Sequence, residues 1–187
     1  TSVMKYSDIY RKLLSTTMSV YSPLAMLFPS RRDEYEAKYE IDLQKEDKNA
    51  NALGQGLTRQ INRESGIKKL MTINLLKRLE SSVQAFRITL KSLIKTNQEM
   101  IDLINRFENG ERSLSIAREV TSFVIEDEDE DEMYSFFKEN TGKIIDIRLS
   151  DIDVYTWRRD IQNDIAILTE IYADMQKVTP DQDEKLS

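Results

Sequence analysis

Ser82-Val83-Gln84-Ala85-Phe86-Arg87-Ile88-Thr89-Leu90-Lys91-Ser92-Leu93 lies in the middle of a run from Ile67 to Asn109 that contains neither Gly nor Pro. Across this run Leu76, Leu79, Val83, Phe86, Leu90, Leu93, Asn97, Met100, Ile104 and Phe107 recur at steps of three and four, the repeat of one helix face. The spacing predicts one long helix over about 67–108, roughly 60 Å long at about 1.5 Å per residue. A helix of that length needs packing along its whole side. Ile94 and Ile101 widen the stripe beyond a two-stranded seam, which favours packing within the chain over a dimer zipper. Asn97 interrupts the stripe, either fixing register or marking an opening to solvent.

Outward from this helix the chain reads as all-helical. Apolar spacing over Met4–Tyr21 predicts an N-terminal amphipathic helix, and Pro23–Phe28 an apolar turn docked on a core. Leu57–Ser65 reads as a short helix leading into the long one, and Gly110 as its stop. Ile161, Ile165, Leu168, Tyr172 and Met175 carry a second stripe, giving a C-terminal helix over about 150–178, with Ser150 as its cap. Residues 30–56, apart from a short tyrosine-bearing helical candidate near Asp33–Ile41, and residues 125–133 read as flexible loops. The expected architecture is one elongated helical bundle over 1–187, with the C-terminal helix antiparallel on the long one.

Composition narrows the chemistry. The 187 residues include no Cys and no His, which removes disulfides, thiolate nucleophiles, Cys/His zinc sites and histidine bases. No signal peptide and no membrane-length apolar run is read, so a soluble, cytoplasmic protein is expected. The net charge of −6 is unevenly spread: residues 1–95 hold 17 Lys and Arg against 10 Asp and Glu, whereas the rest hold 10 against 23. The seven acidic residues Glu126–Glu132 form a solvated run that lacks the spaced ligands and turn glycine of a calcium loop. Gly54 and Gly56 are not followed by Lys-Ser or Lys-Thr, so they make no phosphate loop. The long helix, by contrast, carries Lys68, Lys69, Lys77, Arg78, Arg87, Lys91 and Lys95 against the single acid Glu80 over its first half. These seven residues are the candidate nucleic-acid contacts, with Arg87, Lys91 and Lys95 as a like-charge ridge that favours an anionic neighbour. Trp157-Arg158-Arg159 is a smaller basic spot, read as a bundle edge with a half-buried tryptophan.

The run Ile73-Asn74-Leu75-Leu76-Lys77-Arg78-Leu79-Glu80-Ser81-Ser82-Val83-Gln84-Ala85-Phe86-Arg87 resembles a signature of large bacterial Swi/Snf-related helicases of superfamily two. Leu14-Ser15-Thr16-Thr17-Met18-Ser19-Val20-Tyr21-Ser22-Pro23 and Gln60-Ile61-Asn62-Arg63-Glu64 resemble flanking parts of the same region. Val178-Thr179-Pro180-Asp181-Gln182-Asp183-Glu184-Lys185-Leu186 is similar to the lead-in to the second RecA-like lobe. The resemblance implies a helical segment excised from between two motor lobes, its partners being those lobes and DNA. It assigns this chain no catalytic residue, no metal ligand and no cofactor: ATP and magnesium are expected only in the lobes outside it, because no GxxxxGK[ST] loop or acidic box is present. The alternative expectation is a structural or protein-interaction bundle without a nucleic-acid role.

Overall fold

A computed structural model describes residues 6–38, 56–116 and 146–177. Within them lie helices α1 (Tyr6–Ser15), α2 (32–38), α3 (Gly56–Ser81), α4 (Val83–Glu108) and α5 (Val154–Gln176). Short 3₁₀ turns at Ser19–Tyr21, Pro23–Met26 and Pro29–Arg31 link α1 to α2, and another at Leu149–Asp151 leads into α5. Among the described residues the departures from an all-helical plan are a two-residue ribbon, β1 (Ser115–Ile116) antiparallel to β2 (Ile147–Arg148), with Ser115 opposite Arg148, and an isolated antiparallel bridge between Leu27 and Ile152.

The expected pairing of the long helix with the C-terminal helix is present. Arg87 donates to the Met175 carbonyl near one end, while Arg158 donates to Asn105 Oδ1 at 3.0 Å and Glu108 Oε2 at 2.6 Å near the other. The two helices therefore run antiparallel. Leu79, Val83, Phe86, Leu90, Leu93, Asn97, Met100, Ile104 and Phe107 are all buried, as their spacing requires, whereas on α3 the face has turned so that Leu75 rather than Leu76 is fully inside. Each such Leu or Phe contributes about 1.5–3 kcal/mol relative to exposure. Asn97 bends its amide back to donate to the Leu93 carbonyl at 2.8 Å, which lets a polar residue stand in the stripe.

The single rod over 67–108 is interrupted. Ser82 is extended (φ −162°, ψ 122°), and its Oγ accepts from Ala85 N at 3.2 Å as the N-cap of α4. The arms on either side run back toward the same end of the bundle. Glu64 on α3 accepts from Leu24 N at 3.2 Å; five residues earlier in the chain, the Ser19 carbonyl accepts from Trp157 Nε1 at 2.7 Å; and Trp157 neighbours Arg158, which holds Asn105 of α4. A straight helix would separate Glu64 from Asn105 by about 60 Å, too far for these links. The chain thus turns sharply at one residue, and α3, which absorbs the expected short helix 57–65, forms one arm of a V with α4 as the other. The cap serine makes the turn tolerable, since its Oγ accepts from Ala85 N where the helical carbonyl acceptor is lost.

One further boundary moves. Asp153, not Ser150, caps α5, accepting from Thr156 N at 3.1 Å. The short helical candidate near Asp33–Ile41 is present as α2 over 32–38, with Tyr35 fully buried and anchored. Residues 39–55 of the expected 30–56 loop and the whole expected 125–133 loop, with the acidic run Glu126–Glu132, lie outside the described residues.

Candidate nucleic-acid interface

The corner at Ser82 divides the basic residues between two arms. On α3, Lys69 and Lys77 are exposed and Lys68 and Arg78 half-buried; on α4, Lys91 and Lys95 are exposed and Arg87 is half-buried. Lys69 and Lys77 flank the exposed Ile73 on one face of α3, and Lys91 and Lys95 stand one turn apart beyond the exposed Ile88 on α4. Lys95 also faces Glu99 at 3.9 Å across one helical turn, a solvent-exposed pair of small energetic weight. Arg78 and Arg87 differ from the lysines. Arg78 Nε donates to Asn74 Oδ1 at 3.3 Å, and Arg87 reaches across to the Met175 carbonyl in the last turn of α5. A cation at a helix C-terminus interacts favourably with the unpaired carbonyls there, so Arg87 acts as a cap for α5.

Trp157-Arg158-Arg159 likewise resolves into different roles. Trp157 is fully buried rather than half-buried, Arg158 clamps α4, and Arg159 is exposed beside Asp160. Only Arg159 of the three remains on the surface.

The segments flanking the basic run form polar clamps. Thr17 donates from N and Oγ1 to the two oxygens of Asp164, at 2.7 and 2.8 Å, and Ser19 Oγ donates to Thr17 Oγ1 at 2.7 Å. Asp164 is fully buried on α5, and desolvation holds its carboxyl above the usual range despite these hydrogen bonds. Met18 takes a left-handed conformation (φ 48°, ψ 33°), which folds this turn around the carboxylate. A second clamp surrounds Asp151. Tyr35 Oη donates to Asp151 Oδ2 at 2.6 Å, Arg148 Nε donates to the same oxygen at 2.9 Å, and Arg31 Nε lies 3.4 Å from Oδ1. Burial alone would raise this carboxyl, but the tyrosine and the two guanidiniums outweigh it and hold it below its usual range. The Tyr35 hydroxyl also accepts from Arg148 N at 3.1 Å, and burial beside Asp151 pushes its pKa up.

The sequence reading missed both aspartates, although one signal was available. Trp157, Ile161, Asp164, Leu168, Ile171 and Met175 follow a strict four-three repeat, which places Asp164 on the core face. Asp151 has no such periodic signal, since it stands in a 3₁₀ turn.

Chemically, the exposed lysines can track phosphates, and the clamps are structural. Among the described residues no group of three or more His, Cys, Asp or Glu is placed to hold a metal ion. No described helix is long and apolar enough to cross a membrane. No family model, curated protein or solved structure matches this chain.

Proposed function

We propose that this chain is a non-catalytic helical accessory module of an ATP-dependent DNA helicase or translocase, joined to motor lobes that hold the ATP and magnesium. In this reading it contacts nucleic-acid backbone through Lys69, Lys77, Lys91 and Lys95 and couples the lobes through the V of α3 and α4. The observation that carries it is the exposure of these lysines on both arms of a V whose corner lies beside the start of α1 and the end of α5. Tyr6 Oη donates to Glu80 at 3.0 Å and Arg87 caps Met175, so the first turn of α1 and the last turn of α5 meet the corner. Movement of either flank would reach both arms at this point.

The test is binding of a fluorescent duplex across a salt series. Affinity should be weak, independent of sequence and linear in log salt, and Lys91→Glu with Lys95→Glu should reduce the slope by about 1.8, two phosphates' worth. Arg87 is left intact because it caps α5. No binding at low salt, or an unchanged slope, would remove nucleic acid from the reading.

A second reading, a structural or protein-interaction bundle, is favoured by the engagement of Arg78 and Arg87 within the chain. On that reading Arg87→Ala lowers thermal stability and no lysine change alters nucleic-acid binding.

A further inference from the structure

We infer that the Ser82 corner is a hinge for exchange of halves between two copies of this chain, giving a dimer in which residues 56–108 form one continuous helix. The inference stands apart from the nucleic-acid reading and rests on three observations.

The first is how little separates the corner from a helix. The backbone ladder runs as far as Ser82 N donating to Arg78 O at 2.7 Å and resumes with Phe86 N donating to Ser82 O at 3.1 Å. What a continuous helix adds is the bonds from Val83, Gln84 and Ala85 to the carbonyls four residues before them, in return for the Ser82 Oγ cap. The change is confined to the backbone angles of Ser82. The buried residues Leu75, Leu79, Val83, Phe86 and Leu90 stay in helical phase through it, with no Gly or Pro to bar a straight path.

The second is where the contacts lie. Lys12 with Glu170, Thr17 with Asp164, Ser19 with Trp157, Tyr35 with Asp151, and the bridge of Leu27 with Ile152 all join residues before Ser82 to residues after it. Every one can form equally well with the second half supplied by another copy. The third is that two polar contacts beside the corner do not cross it, although the packing of α3 on α4 does and has to re-form between copies. Tyr6 with Glu80 lies wholly in the first half and Arg87 with Met175 wholly in the second, so straightening leaves both in place. An exchanged dimer therefore remakes the contacts between the two halves with a second copy and alters the hinge and the α3–α4 packing next to it, the condition under which swapping is a low-cost route to association.

Two opposed substitutions test this, read by light scattering after size exclusion over a concentration series. Ser82→Ala removes the cap and supplies a strong helix former, so with two corners lost per dimer the association constant should rise about thirtyfold. Val83→Pro does the reverse. Proline is accepted at a first helical position and holds the preceding residue extended, so it fits the corner, bars the continuous helix and should leave monomer alone. Because the sequence contains no cysteine, Lys12→Cys with Glu170→Cys adds a single possible disulfide, which should join two different chains in the isolated dimer and one chain to itself in the monomer. A wild type and Ser82→Ala that are both monomeric throughout would overturn the inference. So would a dimer whose disulfides stay within chains. If Ser82→Ala fails to fold, wild type against Val83→Pro still decides: a wild-type dimer lost on proline substitution supports exchange, and a dimer indifferent to it, or no dimer, refutes it.

Discussion

Asp151 and Asp164 are both buried aspartates that pin the C-terminal part of the chain to its N-terminal turns, yet their carboxyls are shifted in opposite directions. Asp151 meets two guanidiniums and a phenol; among the described residues Asp164 meets hydroxyl and amide donors from one turn and no cation. Both carboxylates are shielded from solvent, but Asp164 lies deeper and its neighbours carry no charge, and the two differences act in the same direction. Without a formal positive charge nearby, hydrogen bonds do not repay the loss of water around Asp164, whereas at Asp151 the cations and the phenol more than offset it. The Asp151 clamp depends on charge and the Asp164 clamp on shape and hydrogen bonding.

The largest effect expected from breaking this contrast is at Asp151. Asp151→Asn removes the charged acceptor of Tyr35, Arg148 and Arg31 and should lower unfolding free energy by about 2 kcal/mol in urea titrations near neutral pH, less than for a fully buried ion pair because both guanidiniums are half-exposed and Arg148 keeps Glu34. Because the folded carboxyl titrates low, its stabilisation is present above the ordinary aspartate value of about 4 and is lost as pH falls through the folded value. The deficit of the variant should therefore shrink in acid. A deficit constant with pH would mean that the cations contribute little.

Tyr35→Phe comes next. It removes the donor to Asp151 and the acceptor for Arg148 N, and a loss of about 1–2 kcal/mol is expected, read as a lower urea midpoint with unchanged slope. The Asp164 site should respond least. Asparagine can accept from Thr17 N and donate to Thr17 Oγ1, as the neutral acid would, so Asp164→Asn should cost within about 1 kcal/mol in mild acid. The raised folded value means that wild type holds its full contribution below about pH 4 and loses it as pH rises through that value. Thermal melts from about pH 4 to pH 8 should show the variant gaining on wild type, the opposite slope to Asp151→Asn. Parallel slopes would erase the distinction between the two sites.

Much of the scaffold was legible because periodicity is a local signal. From Leu79 to Phe107 the three-four alternation named the buried face correctly, and the partnership of α4 with the C-terminal helix followed. Ser82 escaped notice for the same reason: the stripe continues in phase across it, and a Ser-Ser pair is as compatible with a helix interior as with a cap. What turns the chain there is the docking of α3 on the turns after α1, a contact between residues far apart in sequence. The helix at 32–38 is signalled locally near Asp33–Ile41, but its anchor is not, because Tyr35 is held by Asp151, far downstream. Of the basic residues, sequence gave the charges but not their use. Arg87 reads as part of a ridge with Lys91 and Lys95 until the end of α5 is placed beside it.

The antiparallel lie of α1 on α5 has a mechanical meaning. Lys12 faces Glu170 and Thr17 faces Asp164, so the first turn of α1 and the last turn of α5 leave the bundle side by side. Tension that draws those two flanks apart loads the contacts in series, as a zipper is opened, instead of shearing them all together. Lys12 with Glu170 would part before Thr17 with Asp164, and the buried Trp157 would be reached last of the three. Such a geometry yields in small steps at low force.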